Sequence, residues 1–101
     1  MKTELHHFVV KSSAPPTVEV DAEAESVYVR FKKGHVARTV TQPCENMHIA
    51  IDLNAHNEVL GIEAVGLTTF SIHLILQKAS VKAPSLDFSR AKYVRTDLAA
   101  A

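Results

Sequence analysis

The chain has a single cysteine, Cys44, so no internal disulfide can form and a small scaffold stapled by disulfides is excluded. A reducing compartment, the cytoplasm, is the expected location. Glycine is scarce: Gly34, Gly61 and Gly66 are the only three, too few and too dispersed for a glycine-rich phosphate loop. Net charge is zero, with 11 basic and 11 acidic side chains, so no overall field draws the chain to nucleic acid or to an acidic lipid surface. No apolar run approaches the roughly 20 residues of a membrane span. The opening MKTELHHFVV is interrupted by Glu4, His6 and His7, which a secretory signal would not tolerate.

What is present is ordinary globular material. At 101 residues and 47% hydrophobic content, the chain suits one domain with one core. LHHFVV reads as a peripheral strand, and KSSAPP as a proline- and serine-rich linker. Residues 1–16 are therefore set apart as strand and linker, and residues 17–101 are taken as a single α+β domain. In TVEVDAEAES the Asp21 carboxylate can cap a turn while Glu23 and Glu25 stay in water. A solvated turn is a plainer reading of these carboxylates than an acid–base or metal site. SVYVRF puts Val27, Val29 and Phe31 on one face and Tyr28 and Arg30 on the other. KKGH, with Gly34 available for positive φ, is expected to close a hairpin to the strand VARTVTQ, which Pro43 ends.

The second expected hairpin pairs MHIAIDL with EVLGIEAV across the polar turn NAHN. Setting Leu53 opposite Glu58 brings Ile51 to Leu60 and Ile49 to Ile62, with every large apolar residue on one side. The same register sets His48 opposite Glu63, Ala50 opposite Gly61 and Asp52 opposite Val59. After Gly66 the period lengthens: Ile72, Ile75, Leu76 and Ala79 recur at helical spacing, with Thr or Ser caps available in LTTFS. This predicts a helix of about three turns from Ser71 to Ser80. The expected architecture is α+β and two-layered: an antiparallel sheet of two hairpins plus peripheral strands, with the helix on Val27, Val29, Ile49, Ile51, Leu60 and Ile62. Beyond it, VKAPSLDFSRAKYVRT reads as a loop with a helical turn at LDFSR and a short strand at AKYVR, and the final alanines as a frayed end.

The segments VEVDAEAESVYVRF, VARTV and IAIDLNAHNEVLGIEAVG occur in that order over roughly residues 17–66. Together they resemble an uncharacterised bacterial family, domain of unknown function family 2283. The shared features fall on Asp21, Glu23, Tyr28, Arg30, Arg38, Asp52, Gly61, Ile62 and Glu63. Val20 stands where the family usually has an aromatic, and QPCENMH replaces a shorter acidic connection. The resemblance implies a small sheet with a helix, with no established activity, from genes sometimes found beside toxin-like genes. A regulatory or antitoxin-like role would fit that company.

Residues able to carry chemistry are few. His6 and His7 are adjacent and would point to opposite faces of a strand, and His35 and His56 fall in turns. Cys44 in QPCEN lacks a base held within reach or a helix N-terminus to activate it. Lys32 and Lys33 beside Tyr28 and Arg30 could touch nucleic acid, but the neighbouring acidic turn would repel phosphate. Only His48 and Glu63, with Asp52 as a third member, form a constellation, and a cross-strand pair is its simplest reading. No catalytic residue, metal or cofactor is implied, and no nucleic acid, membrane or small-molecule partner. The preferred expectation is a non-catalytic module that binds a protein partner or a second copy of itself as a dimer. Its candidate face is Tyr28, Arg30, Thr39, His48, Ala50, Asp52, Gly61 and Glu63. The alternative is a small metal-binding protein or enzyme using His48, Asp52 and Glu63.

Overall fold

A computed structural model describes residues 5–66 and 71–95. The expectations for Thr68 and Thr69 and for the terminal alanines fall outside the described residues. The protein is α+β, with one helix packed against a mostly antiparallel sheet. Strands β2 (Thr17–Asp21), β3 (Ser26–Arg30), β4 (Arg38–Gln42), β5 (His48–Leu53), β6 (Val59–Val65) and β8 (Lys92–Arg95) form one sheet in the order β4-β5-β6-β3-β2-β8. A second, two-stranded sheet pairs β1 (Phe8–Val9) with β7 (Val81–Lys82) in parallel. Helix α1 (Ile72–Ala79) runs between β6 and β7, and no helix among the described residues is long and apolar enough to cross a membrane.

The period-two pattern explains the core. Val27 and Val29 of β3, Ile49 and Ile51 of β5, and Ile62 and Ala64 of β6 are buried together beneath Ile72, Ile75, Leu76 and Ala79 of α1. The helix is shorter than expected, eight residues or about two turns. The Ser71 hydroxyl caps it by accepting the Leu74 N–H at 3.1 Å. Ser80 ends it in the left-handed conformation, φ 57°. The N-terminal segment joins this layer: Val10 and Pro16 are buried, and Phe8 packs at the core's margin.

Three expectations are corrected. First, β3 does not form a hairpin with β4. It pairs with β2 and β6, while β4 pairs with β5. The Phe31–Ala37 connection therefore crosses the ends of β6 and β5, producing a Greek key. Gly34 supplies room and not positive φ: a Cβ there would lie 3.0 Å from Leu60 Cδ2. Second, the β5–β6 register differs. Ile51 faces Ile62, Ile49 faces Ala64 and Leu53 faces Val59, with a bulge between Asp52 and Leu53. Leu60 is the inserted residue. Its carbonyl accepts both the Phe31 and Lys32 N–H groups at 2.8 and 3.2 Å, and it is buried beneath Gly34. It therefore does not sit under α1. Third, the sheet is not wholly antiparallel, because β8 runs parallel to β2.

Other local readings hold. Asp21 Oδ1 accepts the Ala24 N–H at 3.1 Å in the β2–β3 turn. Strand β4 stops before Pro43. The helical turn in LDFSR is a 3-10 turn at Phe88–Arg90.

Candidate functional site: the outer face of the sheet

The sheet face turned away from α1 carries the polar half of each alternating strand. Across β3, β6 and β5, Tyr28 faces Glu63, Glu63 faces Ala50, and Gly61 faces both Arg30 and Asp52. On β4, Thr39 faces Asp52 and Thr41 faces Ala50. All eight residues of the candidate face thus lie on one surface. The internal pairing differs from the expected one: His48 faces Val65, Ala50 faces Glu63 and Asp52 faces Gly61. The shift is two residues in all: Leu53 faces Val59 and not Glu58, and the inserted Leu60 adds one more to every pair beyond it, so each side chain keeps its face while changing its partner.

The chemistry of this face centres on Tyr28. Its ring lies across Gly61 and reaches over β6 to β5, where the hydroxyl donates to Asp52 Oδ2 at 2.8 Å. Only glycine allows this. A Cβ on Gly61 would occupy the space of the Tyr28 Cε1, Cζ and hydroxyl atoms. Thr39 on β4 donates to the other carboxylate oxygen, Asp52 Oδ1, at 2.6 Å. One carboxylate therefore joins three strands. On the far side of the ring, the Arg30 guanidinium lies 4.9 Å from the Tyr28 centroid and donates to Glu19 Oε2 at 3.1 Å. Stacking and ion pairing hold that long side chain flat against the sheet.

Burial raises the Tyr28 phenol pKa far above its ordinary value of 10.0, and the hydrogen bond to Asp52 and that carboxylate's charge push it further. Arg30 offsets part of this and Glu19 adds to it. Since the folded-state pKa exceeds the unfolded one, the stabilisation is fully present below pH 10 and is lost only as the pH rises through the raised value. In an alkaline titration followed at the phenolate absorbance, Tyr28→Phe should remove no signal at a pH where ordinary tyrosine is fully ionised. Loss of a full tyrosine's amplitude there would contradict the Tyr28–Asp52 geometry.

His48 and Glu63 are diagonal neighbours, with Nε2 and Oε1 3.9 Å apart and both side chains half exposed. This is an ion-pair distance and not a hydrogen bond. Asp52 lies four residues along β5 from His48, roughly 13 Å at strand spacing, and both its oxygens are engaged. Among the described residues, no three His, Cys, Asp or Glu side chains converge to hold a metal. Cys44 packs partly against the core, with Sγ 3.8 Å from the Glu45 carbonyl oxygen.

Sequence reasoning missed the one buried polar side chain among the described residues, Gln42. On the inner side of β4 its Oε1 accepts the His6 N–H at 3.0 Å, and its Nε2 donates to the carbonyls of His6 and Ala79. The side chain thus acts as a short strand for the N-terminal segment to pair with. A glutamine closing an apolar-alternating strand immediately before proline was the available signal.

Comparison with known proteins gave no matching family model, curated protein or solved structure.

Proposed function

We propose that this protein is a non-catalytic interaction module whose working surface is the outer face of the six-stranded sheet. The observation that carries the reading is the state of that face. It spans the whole sheet, and its central polar groups are bonded to one another in a flat array: Tyr28 and Thr39 to Asp52, and Arg30 to Glu19. Gly61 lets the Tyr28 ring lie flat across the sheet, and Ala50 beside it is small. A surface whose polar groups are already satisfied and held in place loses little ordering entropy when a partner covers it, which favours binding. The same features suit catalysis poorly. General acid–base work needs a group that exchanges protons near neutral pH. At the centre of the face Tyr28 is held as a permanent donor and both Asp52 oxygens are engaged, and His48 has only the 3.9 Å approach of a half-exposed Glu63 beside it.

The finer reading, a soluble cytoplasmic protein that acts through a protein partner, agrees with the lone cysteine and the balanced charge. A photo-crosslinking residue placed at His48, on the outer face, should give a discrete protein adduct in the native host. The same residue at Gln77, exposed on α1, should not. Adducts from Gln77 alone, or from neither position, would overturn the proposal. The metal-binding alternative rests on the His48–Glu63 approach, and it requires that zinc binding measured by calorimetry be abolished by His48→Ala.

A further inference from the structure

The strand ends divide the charge of this molecule. At the end where β2 turns into β3 and β4 connects to β5 lie Asp21, Glu23, Glu25 and Glu45. At the opposite end lie Arg30 closing β3, Lys32 and Lys33 just beyond it, and Lys92 opening β8, while Arg38 opens β4 there but its register with Leu53 places it on the helix side. Carboxylates do reach the basic end: Glu58 bonds Lys32 at 3.0 Å, Glu19 pairs with Arg30 at 3.1 Å, and Asp52 is held by Tyr28 and Thr39. Lys33 and Lys92 are exposed there. At the acidic end Arg95 closes β8, but its register with Val20 places it on the helix side. The outer face is therefore polarised along the strands while the chain as a whole is neutral.

Resting on the reading of the outer face as an interaction surface, we infer that its occupant is a second copy of this chain, packed face to face about a two-fold axis that lies in the interface and runs perpendicular to the strands. That axis reverses the strand direction and sets the acidic end of each copy over the basic end of the other, twice per dimer. A two-fold axis along the strands would stack like ends and is disfavoured. With Gly61 letting the Tyr28 ring lie flat and with small Ala50 and Thr41 beside it, two sheets can approach at the roughly 10 Å of face-to-face packing. The area sets the strength. Six strands about 4.8 Å apart and five residues of about 3.3 Å give a plan of roughly 24 by 17 Å. That plan, roughly 400 Å² per partner, is about half of the roughly 800 Å² that standard specific interfaces bury on each partner. The dimer is thus weak, and the charged ends supply its orientation.

Sedimentation equilibrium of the full chain tests this. The wild type should dimerise with rising concentration, and its dissociation constant should rise roughly tenfold from low to high salt, because exposed charges are screened. The pair Lys33→Glu with Lys92→Glu and the pair Glu23→Lys with Glu45→Lys change only exposed side chains. Each doubly substituted protein alone should be monomeric, and mixing the two should restore a heterodimer. A wild type that stays monomeric overturns the inference, while the interaction reading then stands or falls on the His48 crosslink. A dimer that ignores both charge reversals but is lost with Thr41→Arg overturns the two-fold arrangement and leaves the face as the interface. A dimer indifferent to Thr41→Arg as well overturns both.

Discussion

Replacing Gln42 by Leu should lower the stability of the fold by about 2–3 kcal/mol, because a buried carbonyl left without its donor costs roughly 1–3 kcal/mol and further hydrogen bonds are lost with it. Gln42 is 2% exposed, so the Ala79 carbonyl that its Nε2 meets at 2.6 Å in buried surroundings has no ready access to water. His6, being exposed, can turn to solvent, so its two lost bonds contribute less. For a domain of this size each kcal/mol shifts the melting midpoint by about 4–8 °C, so a drop of roughly 10–20 °C is expected. Hydrogen exchange should show lost protection at the amides of His6 and Phe8, since β1 reaches the domain through this glutamine and through its pairing with β7. Gln42→Glu separates shape from hydrogen bonding. It would direct a carboxylate at two carbonyl oxygens, so it should be less stable than Gln42→Leu at neutral pH and recover on acidification, when the protonated acid can donate. A midpoint within a few degrees of wild type for Gln42→Leu would show that the N-terminal segment docks by other means.

The second large effect is expected at Gly61. An alanine there would set its Cβ among the ring atoms of Tyr28, and backbone in the middle of a sheet cannot move aside. The ring must swing off the face, which breaks its hydrogen bond to Asp52 and its stack with Arg30. The cost should be roughly 1–3 kcal/mol, the usual range for an overpacked site, although alanine in a strand is otherwise preferred to glycine. The origin of the cost is testable by a double-mutant cycle. In a Tyr28→Ala background the same Gly61→Ala change should be neutral or stabilising, so the two substitutions should be strongly non-additive. In Gly61→Ala alone, the released phenol should titrate near the ordinary tyrosine pKa of 10.0. Additive effects would mean that Tyr28 and Gly61 are not in contact in solution.

These two positions also mark how far the sequence could be read. Alternation in SVYVRF and HIAIDL placed Val27, Val29, Ile49 and Ile51 in the core, and the change of period after Gly66 located α1, because burial acts directly on local pattern. Asp21 and Pro43 were legible for a similar reason: a cap and a missing N–H act within a few residues. Strand order is another matter. Nothing local distinguishes a β3 that turns back to β4 from one that passes over the ends of β5 and β6, and KKGH satisfies either path. The bulge at Leu60 was hidden because the unbulged register also aligned every large apolar residue. Its cause lies elsewhere in the chain, where the Phe31 and Lys32 amides both claim the Leu60 carbonyl.

The candidate face was legible as a set of residues and not as a mechanism. Alternation alone places Tyr28, Arg30, His48, Ala50, Asp52, Gly61 and Glu63 on the polar side. The Tyr28–Asp52–Thr39 array required knowing that β6 lies between β3 and β5 and that its residue beneath the ring is glycine. The expected His48–Glu63 opposition weakened to a half-exposed diagonal once the true register was in place.

The most direct test of the outer face as the working surface is an amide chemical-shift map of the wild-type protein from dilute to concentrated solution. The interaction reading and its two-fold arrangement predict concentration-dependent shifts at Glu19, Tyr28, Arg30, Thr41, His48, Ala50 and Glu63, with α1, β1 and β7 unmoved. Shifts confined to α1 and the β1–β7 pair, or a spectrum indifferent to concentration, would contradict self-association through this face.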